Sequence, residues 1–148
     1  MYKKILVPLD GSARAEIILP YVEDLARSYR AKVLLLRVLE LEPFLLGSPA
    51  AYYQFDLKRY QLRAEEAETY LGDLCAKLRQ RGIKATMQIV DGTPVPEILN
   101  VAAREAIDLI AMASHGRTGL DRAIYGSVAA GILHGTDRPL LIIRSAKA

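Results

Sequence analysis

Lys4-Ile5-Leu6-Val7-Pro8-Leu9-Asp10-Gly11-Ser12 is the stretch whose reading decides the fold. Positions 5–9 are apolar without interruption, and an acid, a glycine and a hydroxyl follow at once. A strand with one wet face would alternate polar and apolar residues, whereas an unbroken Val/Ile/Leu run needs cover on both faces. Ser12 is suited to cap a helix, because its hydroxyl can accept from an amide of the first turn. The unit is therefore strand, turn, helix. Working outward, the same kind of run recurs at 33–38, 85–90, 109–112 and 140–143.

Helical patterns lie between these runs. In 12–29 the residues Ile18, Tyr21, Val22, Leu25, Ala26 and Tyr29 share one face. Pro20, inside that segment, predicts a kink or one unmade backbone bond. Leu57, Tyr60, Ala64, Ala67, Leu71, Leu74 and Leu78 recur three and four residues apart behind Asp56, a candidate cap. That spacing predicts a helix covering a sheet face more readily than a coiled coil. A third helix follows Thr93-Pro94, with Thr93 as cap and Pro94 at the first helical position. A fourth runs over 127–134 and stops at Gly135, with His134 placed favourably against the negative helix end. Residues 40–55, with two prolines and a glycine, read as one long irregular piece, either a functional lid or a disordered loop. Strand–helix alternation of this kind predicts an α/β fold, an open five-stranded parallel sheet with helices on both faces and right-handed crossovers. The expectation is one Rossmann-like domain over 1–148.

Composition narrows the classes. Hydrophobic residues are 51% and charged residues 25% of 148, a globular balance that argues against disorder. No apolar run approaches the roughly 20 residues of a membrane helix, and 5–9 is too short for the core of a signal peptide. Cys75 is the single cysteine, so no internal disulfide is available and a reducing, cytoplasmic setting is expected. It reads as a packed small side chain. The formal charge is +3, with Lys and Arg scattered beside Asp and Glu. No nucleic-acid partner is expected on that ground, and no membrane partner from the shortness of the apolar runs.

In an open parallel sheet, ligands bind beyond the carboxyl ends of the strands. The candidates are therefore the residues at those ends. Pro8, Leu9 and Asp10 end the first strand, Val38 lies near the end of the second, and the fourth ends in Met112, Ala113, Ser114, His115 and Gly116. Gly126, Ser127 and Val128 then open a helix, whose first turn offers unbonded amides and a positive dipole end to a phosphate. Hydrogen bonds to a charged group contribute roughly 1.5–3 kcal/mol each, so a few would hold a nucleotide. The common nucleotide motifs are absent. Gly126-x-x-x-x-Gly131 has Walker spacing but continues Ile132-Leu133, and no G-x-G-x-x-G occurs. Asp10 is open to two readings, a ligand or a cap for the turn that follows it. His115 has no visible partner for catalysis.

At this point the residues resemble a known family. The opening stretch quoted above, Val90-Asp91-Gly92-Thr93-Pro94, and the spacing Ala113-Ser114-His115-Gly116, nine residues, Gly126-Ser127 are similar to the universal stress protein family, in its ATP-binding branch. Ala113 stands where the pattern has its first glycine. The resemblance implies ATP as cofactor, with or without Mg. It places Asp10 near ribose and phosphates, Val38 against adenine through its backbone, and Met112 to Gly116 along the ribose and phosphate path. It gives Gly126, Ser127 and Val128 as phosphate donors. It also implies a homodimer through the edge strand at 140–143. The reading is a nucleotide-dependent switch or sensor in stress response. The alternatives are a slow ATPase or self-phosphorylating enzyme using the same pocket, and a structural dimer that has lost nucleotide binding.

Overall fold

The computed structural model describes residues 1–40, 49–115 and 125–145, with side chains from 57 onward in the second segment. The elements are β1 (Lys4–Pro8), α1 (Ala13–Glu16), α2 (Leu19–Tyr29), β2 (Lys32–Leu39), α3 (Pro49–Gln80), β3 (Ala85–Asp91), α4 (Pro94–Arg104), β4 (Leu109–Ala113), α5 (Ser127–Gly135) and β5 (Leu140–Ile143). The strands form one five-stranded sheet in the order β3-β2-β1-β4-β5, and every pair is parallel. Successive strands are laid down in one direction to β3 and in the other from β4. The reversal falls between β1 and β4.

Strand residues divide by parity between two cores. Ile5, Val7, Val33, Leu35, Leu109 and Ala111 pack against Ile18, Val22 and Ala26 of the α1–α2 region and Leu71, Leu74 and Leu78 of α3. Leu6, Leu34, Leu36, Ile110 and Met112 pack on the other face against Ile98, Val101 and Ala102 of α4 and Ala129 and Ile132 of α5. This is why the strand sequences are apolar without alternation.

Three local expectations change. The segment 12–29 is two helices. Ser12 caps the first, its Oγ accepting from the Ala15 amide at 3.2 Å. Pro20 has no amide to bond back to Glu16, and it sits instead in the opening turn of α2, where that loss is harmless. Residues 49–55 are helix rather than loop, because α3 begins at Pro49, with Asp56 inside it and not at its cap. Proline is compatible with a first helical position, so a residue read as a breaker is a start. Gly135 is the last residue of α5 in ordinary helical geometry, and Thr136 forms the cap in extended conformation. The glycine serves packing: a Cβ there would lie 2.9 Å from Leu99 Cδ1. Thr93 is the N-cap of α4 as expected, through its extended backbone and without a side-chain bond.

The length of α3 also explains which part of its stripe is buried. Its 32 residues extend about 48 Å, whereas the seven residues of β3 span about 23 Å. Roughly the last 15 residues of the helix can lie over the sheet. Burial accordingly starts at Ala67 and continues through Leu71, Leu74, Cys75 and Leu78, while Leu57 is 43% exposed. Toward the carboxyl rim of the sheet the helix is held by polar contacts. Tyr60 donates to Asp91, Arg63 Nη1 donates to the Glu40 carbonyl at 2.9 Å, and Tyr70 donates to Glu16 at 2.8 Å. Burial, reinforced by the Glu16 carboxylate, raises the Tyr70 pKa above the usual phenol value. No helix among the described residues is long and apolar enough to cross a membrane.

Candidate functional site

A cavity of about 120 Å³ opens where the strand order reverses. Its walls include Pro8, Leu9 and Asp10 from the end of β1, Val38 from β2, Met112, Ala113 and His115 from the end of β4, and Gly126, Ser127 and Val128 from the start of α5. The residues singled out in the sequence are thus brought to one place, except Gly116, which lies outside the described residues. Arg117 and Arg122, which the sequence offers as phosphate clamps or as solvated charges, and the hydroxyl of Thr118 lie outside them too. Tyr52 and Tyr53, which the sequence offers as rings to stack on a base, fall in the stretch of α3 whose side chains are not described.

The floor is apolar for a topological reason. Leu36, Val38 and Met112 point to the same side of the sheet as the core formed with α4 and α5, and Ile98 of α4 meets them there. Leu36 and Ile98 were not singled out in the sequence, although strand parity with Val38 would have found Leu36. Ser114, Pro94, Ala15 and Ala129 complete the lining.

The polar groups are arranged by three turns. Asp10 Oδ1 accepts from the Ser12 amide at 2.9 Å and from the Ser12 hydroxyl at 2.6 Å, which shapes the β1–α1 connection. The capping reading of Asp10 is thus seen directly, and the same residue lines the cavity. Ala113 is fully extended strand, in register with Ile143, and has no left-handed backbone. Its methyl is accommodated without backbone strain.

Gly126 departs from its expected role. Its amide donates to the Ser114 carbonyl at 2.7 Å and is not available to a ligand. The residue stays on the wall because a Cβ would come 3.1 Å from that same carbonyl oxygen and 3.5 Å from His115 Cα. The first helical bond of α5 runs from the Ala130 amide to the Gly126 carbonyl at 2.9 Å. Helix geometry therefore leaves the amides of Ser127, Val128 and Ala129 without an acceptor inside the helix. The donor set moves one residue along the chain from that expected.

Beyond the strand, His115 Nδ1 lies 3.1 Å from Ser114 Oγ, and Ser114 is only 1% exposed. His115 Nε2 is buried and has no hydrogen-bond partner among the described residues. No Lys or Arg side chain appears among the described lining residues. Among the described residues no cluster of three or more His, Cys, Asp or Glu could hold a metal ion by itself. The arrangement offers an apolar slot, a carboxylate, three helix amides and one ring nitrogen. That is a set for binding an anion attached to a flat apolar group.

The fold and this crevice define an α/β protein with a cavity at the switch point of its parallel sheet, and comparison with known proteins supplies the family. The chain belongs to the universal stress protein family, whose sequence profile matches residues 1–144. Universal stress protein MJ0531 of Methanocaldococcus jannaschii is 31% identical over 147 residues, covering 99% of this chain and 85% of the relative. Universal stress protein MJ0577 of the same organism is 32% identical over 155 residues, covering 97% and 96%. The structure of MJ0577 superposes with a TM-score of 0.89 at 31% identity, over 100% of this chain and 99% of that one. A universal stress protein family protein of Arabidopsis thaliana, with AMP bound, has a TM-score of 0.68 at 20% identity, covering 97% and 92%, and is alike in fold.

Proposed function

We propose that this chain is a nucleotide-binding domain over 1–148 that takes ATP in the crevice between β1 and β4 and acts as a nucleotide-dependent switch or sensor in a stress response. The observation that carries the reading is the joining of an apolar floor to the start of α5 in one cavity. The base lies on Leu36, Val38, Ile98 and Met112. The phosphates take the amides of Ser127, Val128 and Ala129, at the positive end of the helix. Gly116, by the family pattern, completes the phosphate path. The AMP bound by the Arabidopsis relative is consistent with an adenine nucleotide here. Magnesium in such sites is held by one or two carboxylates together with substrate phosphates and water, and Asp10 is the carboxylate that fits that part.

Self-association belongs to the same reading. Of the two sheet edges, β3 is guarded at both ends from α3: Arg79 Nε donates to the Ala85 carbonyl at 2.9 Å, and Tyr60 binds Asp91. Among the described residues nothing comparable covers β5, so Leu140–Ile143 is the edge that pairs with a second copy. The setting is cytoplasmic.

Protein purified without added ligand is expected to carry an adenine nucleotide identifiable by mass. Calorimetry with Mg-ATP is expected to show saturable heat, and none at millimolar nucleotide would overturn the reading. Release of ADP from the loaded protein, lost in Asp10→Ala, would instead mark a slow ATPase in the same crevice.

A further inference from the structure

The residues after β5 take part in the crevice, although nothing in the binding pattern includes them. The Ser145 amide donates to Ser114 Oγ at 2.9 Å. The Ser145 hydroxyl donates to the His115 carbonyl at 3.2 Å and accepts from the His115 amide at 3.3 Å. The Ser114 amide in turn donates to the Ile143 carbonyl at 2.8 Å. Ser114 and His115 are thus both bonded to the exit of β5.

These bonds decide the state of the imidazole. Ser114 Oγ already accepts from Ser145, and its own proton needs an acceptor in a site that is 1% exposed. Nδ1 of His115, at 3.1 Å, provides that acceptor when it carries no proton. The opposite tautomer would leave two groups unsatisfied, the Ser114 hydroxyl proton and a bare Nε2, instead of one. The proton therefore resides on Nε2, a buried atom without a hydrogen-bond partner among the described residues, on a side chain that lines the cavity.

We propose that Ser114 and Ser145 are positioning residues that hold His115 as the Nε2–H donor of the crevice, aimed at an anionic oxygen of the bound ligand. This rests on the nucleotide reading for the identity of the ligand, but the ring state is testable without it. It also makes the exit of β5 part of the binding site, so that the strand expected to pair with a second copy is bonded to the group expected to meet a phosphate.

The experiment uses the full chain, labelled with ¹⁵N in histidine. Ring nitrogen shifts are recorded at pH 8.5, with His134, the other of the two histidines, as the internal reference. The unliganded protein is expected to show His115 protonated at Nε2. Ser114→Ala should mix the tautomers, and Ser114→Thr, which keeps the hydroxyl, should restore the single form. Ser145→Ala should weaken binding of Mg-ATP about tenfold, the worth of one hydrogen bond, with an unchanged circular dichroism spectrum. A His115 ring protonated at Nδ1, or one indifferent to Ser114→Ala, overturns the proposal. So does a folded Ser145→Ala protein of undiminished affinity. The expected ring behaviour in a protein that binds no ATP at all would support the positioning and remove the nucleotide reading instead.

Discussion

The Gly126 amide and the Ser114 carbonyl are 2.7 Å apart, a bond that seats the first turn of α5 on the turn leaving β4. Because the bond uses the amide of the N-cap, the donors left over belong to the three residues after it. Because it is short, nothing larger than hydrogen fits comfortably at the Gly126 Cα. The crevice therefore depends on a close approach between two backbone segments that are apart in sequence.

Gly126→Leu tests that approach. The first side-chain carbon would stand 3.1 Å from the Ser114 oxygen and 3.6 Å from His115 Cδ2, and the rest of leucine would pry the helix start from the turn. The amides of Ser127, Val128 and Ala129 would move with it. Displacing even one charged hydrogen bond costs roughly 1.5–3 kcal/mol, so nucleotide affinity should fall at least about tenfold. The variant should still fold, since residue 126 precedes the helix and packs in neither core. Equilibrium dialysis with labelled ATP measures the change, and undiminished binding would take α5 out of the site.

The strands and the location of the crevice were legible in the sequence because both follow from local facts. Unbroken runs such as Ile5-Leu6-Val7 announce burial on both faces, and ligand-facing residues must follow strand ends. What was not legible depends on contacts between distant segments. The diversion of the Gly126 amide to Ser114 needs the start of α5 to be set against β4, and the role of Ser145 needs β5 alongside β4. The start of α3 was misread for a different reason: Pro49 is equally at home in a loop and at a first helical position, and no periodicity in 49–55 separates the two. The upper part of the stripe, Leu57 to Ala64, has helical spacing without core burial, because the sheet is shorter than the helix.

Glycines in two helices give a paired stability test. A Cβ on Gly131 would lie 2.6 Å from Val95 Cγ2, so Gly131→Ala forces α5 and α4 apart. Overpacking of this kind costs typically 1–3 kcal/mol. Gly72, inside α3, has nothing within 4 Å of an added Cβ, so Gly72→Ala should stabilise by about 0.4–1 kcal/mol through helix preference alone. Urea unfolding of the two variants should move the midpoint in opposite directions. A shift of the same sign in both would contradict the close packing of α4 on α5.

Asp108 supplies a pH dependence. Its carboxylate accepts from the Lys3 amide at 2.8 Å and the Lys4 amide at 2.9 Å, holding the start of β1 beside β4. These bonds, the largest cause, place its pKa below the ordinary value. A lowered folded-state pKa contributes stability that is complete above the unfolded value of about 3.9 and is lost as pH falls through the folded value. Asp108→Asn should therefore be less stable than the parent at pH 7, with the difference shrinking as pH falls below about 4. Thermal melts between pH 7 and 2 check this, and a gap that stayed constant to pH 2 would show that the charge on Asp108 is not what holds β1.

The edge at β5 can be broken without touching the ladder to β4. The bonds from the Ile110 amide to the Pro139 carbonyl and from the Ser114 amide to the Ile143 carbonyl turn odd-numbered residues of β5 inward. Alternation then leaves the amides and carbonyls of Leu140 and Ile142 on the outer edge. Ile142→Pro removes an outward amide, at a position where an edge strand tolerates proline, and keeps every inward donor. The parent is expected to sediment as a dimer at micromolar concentration and the variant as a monomer, each retaining a cooperative melt. A parent that is itself a clean monomer at that concentration would refute pairing through this edge. A variant that remains dimeric would move the interface elsewhere on the molecule.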